Sequence, residues 1–358
     1  MVRTGPAAAI LAAMLFGVGT PLAKLLVHDL SPWMLAGLLY LGSGLGLGLV
    51  RLARALAGRG AGRERGIHGA EWLWLTAAVA AGGVAGPVLL MYGLTAAPAS
   101  AASLLLNLEG VFTALLAWFA FKEGVDRRLV TGMAAIVAGA VVLSLSGDMG
   151  SGSTGRGSMD IAAGWGAAAV AAACLMWAVD NNLTRKVSLA NPVDIAIIKG
   201  LVAGSVNVGI AATLGSAMPA APAVAAAMLV GLSGYGISLV LFVVALRQIG
   251  TARTGAYFST APFVGGAASL VIFGEPVTFG LVAAAVLMGF GVWLHLTEDH
   301  DHEHEHDEIE HDHPHVHDEH HQHHHDGPVR EPHTHRHRHG RLRHRHPHFP
   351  DAHHAHTH

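Results

Sequence analysis

The chain has 358 residues, 52% of them apolar and 13% charged, with a net charge of −3 and one cysteine. Mean hydropathy is +0.43 even though the C-terminal stretch is extremely polar. These values exclude a water-soluble globular domain, a disulfide-dependent fold and the basic balance that nucleic-acid binding requires.

In chain order, apolar runs fall at 5–27, 32–56, 70–94, 99–121, 129–146, 163–184, 192–214, 223–246, 252–273 and 277–296. A helix of about 20 residues crosses the ~30 Å hydrocarbon layer, so ten membrane spans are predicted. The first run follows Arg3 and has the outline of a signal peptide, but it is long and further spans follow it. The spacers carry helix-ending punctuation: Ser31-Pro32, Ala97-Pro98, Asn191-Pro192, Pro219 to Pro222 and Glu275-Pro276. Gly147 to Gly157 is a Gly/Ser-rich linker where the first half ends. Gly and Ala crowd the spans, as in Gly42-x-Gly44-x-Gly46-x-Gly48, and small residues let helices approach closely in lipid.

One stretch is written twice. Phe121, Glu123, Val125, Leu129, Val130 and Gly139 return as Phe273, Glu275, Val277, Leu281, Val282 and Gly291, each pair separated by 152 residues (273 − 121, 291 − 139). The predicted organisation is therefore a first five-helix repeat at 1–146, a linker at 147–160, a second repeat at 161–296 and a polar tail at 297–358. If the N-terminus is cytoplasmic, the inner segments hold thirteen basic residues: Arg3, Arg51, Arg54, Arg59, Arg63, Arg65, Lys122, Arg127, Arg128, Arg185, Lys186, Arg247 and Arg253. The outer side then holds two, Lys24 and Arg156. That bias places both termini in the cytoplasm. Five spans per half is an odd number, so the second repeat is inverted relative to the first. Glu123 then lies at the inner surface and Glu275 at the outer one. Inverted halves meeting at the midplane are how many secondary transporters expose one site to either side in turn.

The Glu-centred junctions, Phe121-Lys122-Glu123-Gly124-Val125 and Phe273-Gly274-Glu275-Pro276-Val277, each precede a final helix with a late glycine. With Phe16 to Lys24 in the first span and Trp177 to Leu183 in the sixth, the chain from about 5 to 296 resembles the drug/metabolite transporter superfamily, in its EamA-like branch. The resemblance implies an all-α integral membrane protein with ten helices in two inverted five-helix repeats. It also implies secondary transport at the cell membrane, often export of metabolites, amino acids or toxic compounds. The Asp180-Asn181-Asn182 run departs from the small residues usual in that family, and the histidine-rich tail lies outside its pattern.

An ionisable group in hydrocarbon costs a few kcal/mol or more and usually faces a cavity. Glu109 stands near the middle of its span, two residues after Asn107, and reads as a substrate or proton site, with a structural pairing to Lys199 as the plainer alternative. Lys199, roughly 12 Å into its span, reads as a partner of Glu109, an anion site or a snorkelling residue. Asp180 and Asn181 read as pathway-lining or as a helix-terminal cluster beside Arg185 and Lys186. Tyr92, Trp177, Tyr235 and Tyr257 are available for an aromatic lining, and Tyr257 is the one expected in it. Glu123 and Glu275 are expected to be structural, capping or tying their short links. Pro87 and Pro262 fall near span centres, where they would kink or break helices.

The tail holds 24 of the 27 histidines, beginning with His300. His302, His304, His306, His311, His313, His315 and His317 alternate with acidic and other residues, and His320, His321 and His323 follow. This composition cannot bury a core, so disorder is expected. Imidazole and carboxylate donors suit Zn²⁺, Ni²⁺ and Co²⁺, so tail metal binding is expected without a required cofactor. A pH-responsive tail is the competing reading. The expected partners are the lipid bilayer, a small-molecule substrate and divalent metal at the tail, and a homodimer is compatible. The leading function is ion-driven export of a small metabolite, amino acid or drug-like compound from a bacterial cell. Divalent-metal efflux and non-transporting metal buffering are the alternatives. The spans hold no Ser/His or paired-carboxylate arrangement and no phosphate-cradling glycine motif, so neither an enzyme nor an ATPase is expected.

Overall fold

The computed structural model describes residues 4–58, 66–121, 127–146, 161–187 and 190–296, and the backbone of 301–306, 309–315, 333–339 and 342–347. Thirteen α-helices are described: α1 Thr4–Leu26, α2 Pro32–Leu56, α3 Glu71–Ala78, α4 Gly86–Ala96, α5 Ala99–Leu105, α6 Leu108–Phe121, α7 Arg127–Leu145, α8 Ile161–Thr184, α9 Pro192–Thr213, α10 Ala221–Gly231, α11 Ser238–Phe258, α12 Ala261–Phe273 and α13 Phe279–Leu296. Sequence punctuation explains several starts. Ser31 and Asn191 each accept a backbone N–H from the first turn that follows, and Pro32 and Pro192 occupy a position where a missing N–H costs nothing.

Among the described residues, eight helical stretches are long and apolar enough to cross a membrane. The ten spans expected from sequence are not reached on that count. One difference is α8, 24 residues long, which is not among the eight. The other is the expected span 252–273, which the chain divides: α11 runs on to Phe258, and α12 is 13 residues long. Phe279 and Val271 are 90% and 85% exposed, in keeping with helices whose outer surface meets lipid rather than water.

The helices are interrupted at four places, and the interruptions obey the repeat. Residues Val79–Ala85 form a π-helical segment between α3 and α4, and Leu232–Ile237 form one between α10 and α11. Their ends differ by 153 (232 − 79) and 152 (237 − 85) residues. The breaks between α5 and α6 (106–107) and between α11 and α12 (259–260) also agree with the 152-residue offset to within one residue. Pro87 and Pro262 both stand in the first turn after an interruption, where they start a helix rather than kink one.

Equivalent helices of the two halves pack antiparallel. Gly132 of α7 approaches Gly291 and His295 of α13, whereas Gly139 approaches Ala284 and Met288. As the number rises on one helix it falls on the other. Yet these helices are related in sequence by the same offset (291 − 139 and 284 − 132 are both 152). Each contact thus has a counterpart with the roles exchanged, the signature of a two-fold relation. Helices α2 and α9 repeat the arrangement, Gly37 facing Gly204 and Gly44 facing Gly200 and Leu201. A Cβ on Gly44 would lie 2.7 Å from the Leu201 backbone nitrogen, so this crossing requires glycine. An ion pair between Arg51 and Asp194 also links the two helices.

The main core runs through the interior of this unit, from Leu35 and Leu39 of α2 through Leu90, Met91 and Leu105 to Leu143 and Met288. The chain beyond Asp299 is a separate unit. Its sequence predicts no secondary structure, but four of its segments are extended and paired antiparallel: β1 Asp301–His306 with β4 Leu342–Pro347, and β2 Ile309–His315 with β3 His333–His339. In the backbone register Glu303 is paired with Arg345 and Asp312 with Arg336. His302, His304, His306, His311, His313 and His315 lie in β1 and β2. His317, His320, His321 and His323 lie outside the described residues, as do Glu123 and the linker at 147–160.

Candidate functional site

The interrupted helices converge on a polar group inside the membrane unit. The break before α6 places Glu109 in that helix's first turn, half-buried and ten residues from either end of the stretch Ala99–Phe119. Asn107 occupies the break itself. It is buried, and its side-chain nitrogen donates to the Leu104 carbonyl at 2.8 Å, the same carbonyl that accepts its backbone N–H at 3.1 Å.

Helix α8 supplies the facing side chains. Trp177, Asp180, Asn181 and Thr184 fall at helical spacing and share one face. The Asn181 amide donates to Glu109 Oε1 at 2.8 Å, joining the two halves. Lys199 of α9 donates to both Asp180 oxygens at 2.5 and 2.7 Å and to Thr184 Oγ1 at 3.2 Å, while Thr184 donates to Asp180 at 2.8 Å. The sequence left Lys199 free to pair with Glu109. The structure pairs it with Asp180.

The first π segment completes this group. Widening the helix frees carbonyls from the i→i−4 ladder. The Gly82 carbonyl accepts from Tyr40 Oη at 2.8 Å and Trp177 Nε1 at 3.0 Å, and the Gly83 carbonyl accepts from Asn207 Nδ2 at 3.0 Å. Gly82 must be glycine, because a Cβ there would overlap the Asp180 carboxylate. Asn207 is fully buried, and its Oδ1 has no hydrogen-bond partner.

Aromatic rings from both halves stand beside the polar group. Tyr40 and Tyr235 lie 5.5 Å apart between centroids, Phe16 meets Tyr235 edge-on at 5.8 Å, and Phe16 meets Phe258 at 5.3 Å. Tyr235 sits in the second π segment. Tyr257 is elsewhere, packed with Ala8, Ala9, Leu241 and Ala245. Tyr92 is on the exposed surface.

Of the site residues singled out from sequence, Glu109, Asp180, Asn181 and Lys199 come together, Asn107 stands at the adjoining break, and Tyr257 is apart. Tyr40, Gly82, Phe16 and Asn207 were not singled out. The sequence does carry a signal for Asn207, an amide in the interior of a span, and for Gly82, the first of a mid-span glycine pair.

A second polar contact lies at the α12–α13 connection. Gly274, at φ +61°, ends α12 in the left-handed region that glycine tolerates, and the next residue is Glu275. Its carboxylate accepts the Ala99 N–H at 2.8 Å, the Ser100 N–H at 3.1 Å and the Ser100 hydroxyl, capping α5. Lys24 donates to the Leu94 and Ala97 carbonyls at the end of α4. Opposite charges thus meet the opposite ends of consecutive helices. Among the described residues, no three His, Cys, Asp or Glu gather closely enough to hold a metal ion.

The profile of a family described as EamA-like transporters matches residues 3–145 and 164–297. A protein of Methanothermobacter thermautotrophicus (strain Delta H), described as an uncharacterized transporter, is 27% identical over 295 residues, covering 80% of this chain and 84% of that protein. A solved structure described as "Crystal structure of protein" superposes with a TM-score of 0.58 at 19% identity, covering 82% of this chain and 95% of that one, and so shares the fold.

Proposed function

This chain belongs to the EamA-like transporter family, and from that premise we propose that it is a secondary active transporter exporting a small metabolite, amino acid or drug-like compound by alternating access. The observation that carries the proposal is the Glu109–Asn181 hydrogen bond. It joins a broken helix of one repeat to the opposing repeat, at a half-buried carboxylate midway along its span. Inverted halves rocking about such a point expose it first to one side and then to the other. Glu109 is the proton carrier. Protonated, it releases its demand for a compensating charge; deprotonated, it holds a hydrogen-bond donor or a cation. Arginine and lysine bias orients the protein with both termini in the cytoplasm, here of a bacterial inner membrane.

The test is uptake into proteoliposomes of the full chain under an imposed pH gradient, with a panel of metabolites, amino acids and antimicrobials. Glu109→Gln should abolish gradient-driven transport while leaving the protein monodisperse in detergent. If the variant transports with unaltered pH dependence, Glu109 is not the proton carrier.

Divalent-metal efflux is the second reading, favoured by the alternating histidines of the tail. The tail can collect Zn²⁺, Ni²⁺ or Co²⁺. The polar group between the spans is a poorer match: besides one matched ion pair it holds a single further carboxylate, Glu109, with amides and phenols. Deletion of residues 298–358 is expected to remove metal binding and leave small-molecule transport within about twofold of the full chain. Loss of both together would favour metal efflux.

A further inference from the structure

Charge matching inside the membrane unit distinguishes its two central carboxylates. Asp180 is buried and fully engaged: Lys199 meets both of its oxygens and Thr184 meets one of them. Together, Asp180 and Lys199 carry no net charge. Glu109 is different. Among the described residues its side chain has one hydrogen-bond partner, the neutral amide of Asn181, and no cation lies within ion-pair distance. It is also half-buried rather than sealed, so an occupant can reach it.

The groups around Glu109 do not alter that balance. Helix α8 brings Asp180, already matched, and the Cys174 thiol, which donates to the Leu105 carbonyl at 3.6 Å. Tyr40 and Tyr235 bring phenol rings, and the Tyr40 hydroxyl donates to the Gly82 carbonyl. Helix α7 carries ionisable groups at its first turn alone, Arg127 and Arg128. An ionised carboxylate in a low-dielectric site without a compensating charge is strongly disfavoured, so it takes up either a proton or a positively charged ligand. Aromatic rings belong to the same group: the Tyr40 and Tyr235 rings lie 5.5 Å apart, the Tyr235 and Phe16 rings 5.8 Å apart, and the Tyr40 hydroxyl shares the Gly82 carbonyl with Trp177 of α8. Ring faces attract cations and accept apolar bodies.

Resting on the reading of this group as the transport site, we infer that its substrate class is organic amines and other organic cations with an apolar or aromatic body, bound at Glu109 in place of a proton. The exchange balances: protonated Glu109 plus ammonium ion gives the carboxylate–ammonium pair and one released proton. No covalent bond changes apart from the O–H bond that is lost.

The experiment uses the purified full chain in detergent and three probes of one shape and different charge: 2-phenylethylammonium, 2-phenylethanol and 3-phenylpropionate. Calorimetry and proton release in weakly buffered solution are read together. The ammonium probe should bind at least tenfold more tightly than the other two and release close to one proton. Its affinity should fall as pH is lowered through the range in which Glu109 protonates. Glu109→Gln should remove the preference and the proton release, whereas Glu109→Asp should keep both with weaker binding, which separates loss of charge from loss of fold. Equal binding of the three probes, binding of none, preference for the carboxylate, or an ammonium preference that survives Glu109→Gln would overturn the inference. If the probes bind alike but Glu109→Gln still abolishes gradient-driven transport, the coupling role of Glu109 stands and the charge assignment falls. If ammonium selectivity holds while gradient-driven transport is indifferent to the variant, the reverse is true.

Discussion

Asp180 and Lys199 make a buried pair whose value shows when one partner is removed. Asp180→Asn leaves the Lys199 ammonium, 17% exposed, facing an amide and a hydroxyl. A stranded buried charge destabilises by about 3–5 kcal/mol. Asp180→Asn should therefore lower thermal stability in detergent strongly, and the double change Asp180→Asn with Lys199→Met should recover most of it. If the single variant melts with the native protein, the pair is not closed in the membrane. Both residues stand out in sequence as ionisable groups inside apolar runs, but their partnership does not. They are separated by a loop, and pairing depends on how α8 and α9 are rotated about their axes. Tyr40 and Tyr257 make the same point among aromatics: either could face a pathway by composition, and packing alone turns Tyr40 toward Gly82 and Tyr257 toward Ala8 and Ala9.

At the scale of elements, close approach of glycine-bearing helices replaces the hydrophobic drive that water would supply. In α9, Gly200 meets the Gly44 backbone, and a Cβ there would stand 2.6 Å from its nitrogen, whereas Gly209 has open space around it. Gly200→Leu should cost about 1–3 kcal/mol or more by overpacking, while Gly209→Ala should be neutral or slightly stabilising, since glycine inside a helix costs roughly 0.5–1 kcal/mol relative to alanine. Equal melting temperatures for the two variants would refute the tight α2–α9 crossing. The glycine-rich run of α2 is visible in sequence, but which glycines bear the contact is not. The π segments are hidden for a related reason. A single extra residue in a helical turn leaves no compositional trace, and it emerges here because both halves carry it at equivalent positions.

For the whole molecule, antiparallel packing of equivalent helices makes a definite statement about sidedness. Reporter domains fused within 124–126 and within 276–278 should report opposite sides of the membrane, with the first on the side of the N-terminus. A common side would contradict the antiparallel α7–α13 pair. The tail is a distinct unit, with the backbone of 301–306 paired with 342–347 and that of 309–315 with 333–339.

The amino-acid sequence by itself determined the solvent, the repeat and the family resemblance. Hydropathy and a gap-free offset of 152 residues are properties of the chain read along its length. Only the tertiary structure decided which carboxylate is matched and which is open, and where the helices break. Those features depend on rotation and close approach between segments distant in sequence, where ångström-scale differences in packing select one hydrogen-bond partner over another.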